Sequence, residues 1–142
     1  MKLSRTVSYA VQATLQLAKN ESSEPVPCSQ LASTGNMPER FLLQILRNLV
    51  THGILRSTRG VDGGYSLRRP ADDVSLLDVI EAIEGPLDGH AVSIDGFPEE
   101  AQTKLHDALK EVTASSRRQL EAIKLSQLLV APAPLQIVAS QQ

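Results

Sequence analysis

At 142 residues the chain is long enough for one compact domain with an accessory element, but short for two full domains. One cysteine, Cys28, excludes an intramolecular disulfide and a cysteine-rich metal site, and an aromatic content of 3% leaves little for stacking single-stranded bases. The net charge of -2 conceals a division: residues 1 to 70 carry nine Lys/Arg against four Asp/Glu, and residues 71 to 142 carry five against twelve. A basic front half and an acidic rear half suit a molecule that attracts phosphates with one end.

Residues 4 to 19 place Val7, Ala10, Val11, Leu15 and Ala18 at helical spacing behind Ser4 as N-cap, which predicts a first helix. The polar, proline-containing NESSEPVP that follows is a loop. Cys28 to Ser33 predicts a short second helix, and Thr34-Gly35-Asn36 turns the chain. Pro38, with no N–H to lose, suits the first turn of a third helix. On its wheel Leu42, Ile45, Leu46 and Leu49 share one arc, while Arg40, Gln44, Arg47 and Thr51 share the opposite one. Gly53 offers a left-handed cap, Ile54-Leu55 begins an extended run, and after the glycine-rich Arg59 to Gly64 the alternation resumes in Tyr65-Ser66-Leu67. Three helices, the last two joined by a short glycine-containing turn, and a hairpin over residues 54 to 68 predict a mainly α winged helix-turn-helix domain spanning residues 1 to 85.

Ser75 and Asp78 have capping-box spacing before Val79, Ile80 and Ile83, and Gly85-Pro86 stops this fourth helix. Residues 86 to 97 read as a loop. From Pro98 a helical pattern runs to about Leu129, so residues 98 to 130 are expected to be one long helix. Its stripe is Leu105, Leu109, Val112, Leu120 and Ile123, interrupted at Ser116. At 1.5 Å per residue it would reach roughly 45 Å, more than this domain can cover, so a second copy of the helix is the expected cover. Residues 131 to 142 read as a loosely attached tail. With neither an apolar run of membrane-spanning length nor a secretory leader pattern, the expectation is a cytoplasmic protein with no membrane partner.

Four segments, MKLSRTVSYAVQATLQLA, PERFLLQILRNLVTHGIL, RSTRGVDGGYSLRRP and VSLLDVIEAIEGPL, resemble in order and spacing the Rrf-type family of bacterial winged-helix transcription regulators, the family of IscR, NsrR and CymR. The likeness covers residues 1 to about 88 closely and the remainder by architecture. The resemblance implies a homodimer crossed at the long helix, bound to an imperfect palindrome and usually repressing transcription. Cluster-binding members supply three cysteines from the loop after the fourth helix and the start of the long helix. Here Gly85 to Lys110 holds none, so no iron–sulfur cofactor is expected.

Major-groove geometry makes the N-terminal part of the third helix the base reader, which nominates Glu39, Arg40 and Gln44: arginine suits guanine, glutamine suits adenine and glutamate accepts from cytosine. Arg59 is the candidate for an adjacent minor groove, with Gly63 and Gly64 allowing close approach of the backbone. Lys2, Ser4, Arg5, Arg47, Thr51 and Arg56 are the candidate phosphate contacts. His90 and His106, beside Asp88 and Asp95, lack the paired spacing of metal ligands, and Cys28 reads as a half-buried packing residue. No nucleophile–base pair or carboxylate dyad points to an enzyme. The leading expectation is a dimeric, sequence-specific DNA-binding repressor; the alternative is a winged-helix module that joins a metabolic enzyme. An effector, small molecule or protein, is left unspecified.

Overall fold

A computed structural model describes residues 1–20, 22–89 and 93–130. The chain runs α1 (Arg5–Lys19), α2 (Cys28–Gly35), α3 (Glu39–Thr51), β1 (Leu55–Thr58), β2 (Gly64–Leu67), a single tight helical turn over Ala71–Asp73, α4 (Leu76–Glu84), α5 (Glu99–Ala122) and α6 (Leu125–Leu128). Helix starts follow their local chemistry. The Ser4 hydroxyl accepts the Val7 amide, and at α4 Ser75 and Asp78 form a reciprocal capping box. Pro38 occupies the N-cap of α3, one position before the first turn. The left-handed residue that ends α2 is Asn36, and Gly35 remains helical.

The main core gathers Ala10, Ala13 and Leu17 of α1, Leu31 of α2, and Leu42, Ile45, Leu46 and Leu49 of α3, closed by Ile54, Leu55, Val74 and Val79. All four α3 leucine and isoleucine positions of the predicted arc are buried. A smaller cluster joins Val7, Leu77, Ile80 and Leu120, and so packs α5 onto α1 and α4. The hairpin is antiparallel, in the register Leu55↔Leu67, Arg56↔Ser66, Ser57↔Tyr65 and Thr58↔Gly64. The loop before α2 is not wholly irregular: Val26 and Tyr65 exchange both backbone hydrogen bonds, at 2.8 and 2.9 Å, and add a third rung to the hairpin.

The C-terminal half departs from the sequence expectation. The long helix ends at Ala122, and Ile123 and Lys124 are extended. There the backbone pairs with the entry to α4: the Leu76 amide donates to Ile123 (2.8 Å) and the Leu125 amide to Val74 (2.9 Å). Leu125 is then fully buried in the main core. Residues 98 to 130 are therefore not a single helix, and their end belongs to the N-terminal domain. Leu120, expected on the partner-facing stripe, is only 6% exposed within its own chain, and Ile123 lies beyond the helix. Leu105, Leu109 and Val112 stay on α5; Leu105 and Val112 are exposed. His90 and the tail over 131 to 142 lie outside the described residues. Among the described residues no helix is long and apolar enough to cross a membrane.

Candidate nucleic-acid interface

The side chains opposite the buried arc of α3 face outward. Arg40, Gln44, Arg47 and Thr51 are exposed along one side, and Glu39 is exposed at the first position of the helix. The Gln44 amide nitrogen lies 3.4 Å from the Asn48 side-chain oxygen, which leaves its own carbonyl and second N–H for a bidentate partner. Asn48 thus belongs to the face although the sequence reading omitted it; its spacing of four from Gln44 was the available signal. Thr51 is placed differently from expectation. Its hydroxyl donates to the Arg47 carbonyl at 3.0 Å, so its only proton is spent inside the helix and it cannot donate to a phosphate at the same time. His52 closes the helix through Nδ1, 2.9 Å from the Asn48 carbonyl.

The hairpin carries Arg59 exposed at the start of its turn, with Val61 fully exposed at the tip. Gly63 and Gly64 lack side chains for reasons internal to the chain. A Cβ on Gly63 would stand 2.2 Å from the Thr58 carbonyl oxygen, and one on Gly64 would stand 2.4 Å from the Val26 backbone, at a φ of +151°. At both positions the place of a side chain is taken by protein backbone, so these glycines shape the turn that presents Arg59. Arg56 faces outward opposite Ser66, and strand alternation puts exposed Arg68 on the same side. Arg68 is a cation the sequence reading missed although the two-residue period was visible. Lys2 and Arg5 are exposed at the start of α1, where the Ser4 hydroxyl oxygen caps the helix.

Ion pairs hold this surface to the rest of the molecule. Arg69, just past β2, reaches Asp73 at 3.3 Å and Asp78 at 3.1 Å. Burial pushes the Asp78 carboxyl upward, but hydrogen bonds from Ser75 and Arg69 outweigh it and hold the group below its ordinary value. Farther along α4, Glu81 pairs with Arg117 of α5 and also accepts the Leu87 amide at 2.8 Å.

A buried helix-turn-helix core, an outward polar recognition helix and an arginine-bearing wing define a winged-helix transcription regulator. The chain belongs to the Rrf2 family, whose model, described as an iron-dependent transcriptional regulator, matches residues 3–131. It is 38% identical over 128 residues to Rv1287 of Mycobacterium tuberculosis, a protein named for the HTH-type transcriptional regulators, covering 89% of this chain and 80% of that one. It is 33% identical to the HTH-type transcriptional regulator CymR of Bacillus subtilis, over 82% of this chain and 86% of CymR. Among solved structures, CymR, the global cysteine regulator of B. subtilis, superposes with a TM-score of 0.71 at 27% identity, covering 90% of this chain and 95% of CymR. IscR of T. potens gives 0.68 at 28% identity, covering 90% of this chain and 85% of IscR.

The iron in the family description finds no thiolate set here. The sequence holds one cysteine, half-buried at the start of α2 with Sγ 3.7 Å from the Glu39 carbonyl. Burial first, and the charge of Glu39 second, push its thiol above the ordinary 9.0, away from thiolate character. One cysteine supplies one thiolate, fewer than the cysteine ligands such clusters take. Among the described residues no group of three or more His, Cys, Asp and Glu could hold a metal ion.

Proposed function

We propose that the protein is a homodimeric, sequence-specific DNA-binding repressor that works without an iron–sulfur cluster and occupies an imperfect palindrome. The observation that carries this reading is the division of α3. Leu42, Ile45, Leu46 and Leu49 lock one side into the core, while Glu39, Arg40 and Gln44 stand exposed on its N-terminal half beside a wing bearing Arg59. In a major groove these three meet base edges, and Arg59 enters the neighbouring minor groove. Arg47 and Arg56 contact phosphates between the grooves, with Lys2 and Arg5 as outer contacts.

The second half-site requires a second copy. Leu105, Leu109 and Val112 recur at spacings of four and three on α5, and Leu105 and Val112 are 37% and 60% exposed. Pairing α5 with its copy would cover them. The test is a DNA-binding titration on a selected duplex across salt concentrations. Affinity is expected to fall steeply as salt rises, through counterion release. Arg59→Ala and Gln44→Ala should each weaken binding by about tenfold, the worth of one good base or groove contact. Unchanged affinity in both variants would remove the assignment. A brown, sulfide-containing protein after anaerobic purification would overturn the cluster-free part.

A further inference from the structure

Phe41 is the one large apolar side chain of α3 that stands exposed. It lies next to Arg40 and three residues before Gln44, on the N-terminal half of the helix. Neighbouring Leu42 is fully buried, yet Phe41 keeps 43% of its surface exposed. On a 100° wheel it falls at the edge of the polar arc, on the same flank as Asn48. Its ring is held in place. Tyr9 of α1, itself packed against the main core, meets it edge-on, with centroids 5.9 Å apart and planes at 79°. A ring braced by Tyr9 yet 43% exposed, next to Arg40 and on the flank of Asn48, is a preformed apolar contact.

Resting on the DNA-reading function proposed above, we infer that Phe41 is a specificity residue that recognises the 5-methyl group of a thymine in each half-site. In the major groove that methyl is the one apolar group among the base-pair edges. Arg40 and Gln44 can score guanine and adenine; neither can reward a methyl. Phe41 adds thymine to the code and, by the same contact, favours DNA over uracil-containing nucleic acid.

The experiment removes the methyl from the ligand and the ring from the protein. A duplex selected from a random pool by the full-length chain is resynthesised with deoxyuridine replacing each thymine in turn, and every version is titrated against wild type, Phe41→Leu and Phe41→Ala. For wild type one thymine per half-site should be sensitive, losing about fourfold on demethylation, the worth of a single buried carbon. Phe41→Ala should bind the thymine and deoxyuridine duplexes equally, and Phe41→Leu should retain part of the difference. Binding by wild type that is indifferent to every replacement overturns the inference while leaving DNA reading intact, and that arm needs no protein variant. A Phe41→Ala protein as methyl-sensitive as wild type also overturns it. Failure to select any duplex removes the DNA reading and this inference together.

Discussion

Gly64 sits where two constraints meet. Its φ of +151° is rare for an L side chain, and the place for a Cβ is taken by the Val26 backbone at 2.4 Å. Gly64→Ala is therefore expected to cost about 1–3 kcal/mol and to prise the Val26 rung from the hairpin. Urea denaturation would register the loss, together with faster amide exchange at Tyr65. Asp78 is a second residue whose environment has a measurable signature. Its carboxyl titrates below its ordinary 3.8, so the stability it contributes is fully present above that value and drains away as pH falls through the lower folded-state value. Asp78→Asn should lower stability at neutral pH and flatten the acid limb of a Tm-against-pH curve below about pH 4.

Among the elements, α3 was the most legible in the sequence and the end of α5 the least. For α3 the periodicity, the preceding proline and the following glycine all agree, because a helix half-buried in its own domain writes its environment into local spacing. The break at Ile123 has no such signature. The apolar period continues through Leu120, Ile123 and Leu125 with no glycine or proline, and what stops the helix is pairing with Val74 and Leu76, almost fifty residues earlier in the chain. The same reasoning separates the site residues. Exposure of Arg40, Gln44 and Arg59 followed from pattern, whereas the engaged hydroxyl of Thr51 and the filled space beside Gly63 and Gly64 depend on atoms that no spacing rule locates. Leu125 measures the strength of the C-terminal anchor. Leu125→Ala should cost about 2–5 kcal/mol by opening a cavity in the main core, read as a lowered denaturation midpoint in urea.

At the scale of the whole molecule, charge and apolar surface are kept apart. The basic half builds the helix-turn-helix and wing, and the acidic half builds α4 and α5. Two exposed apolar positions, Leu105 and Val112, lie on α5, and the proposed pairing makes a direct claim about them. Val112→Glu puts a charge at a residue 60% exposed in the single chain, so the fold should be unharmed. Sedimentation should then report a monomer, with binding to a full palindrome reduced to that of a half-site.

The return of residues 123 to 128 to the first domain also governs the order in which the molecule can be completed. Leu120 closes the smaller cluster against Val7, and Leu125 joins the main core that also holds Leu42, Ile45, Leu46 and Leu49 of α3, so that core is complete only once residues 120 to 125 have been synthesised.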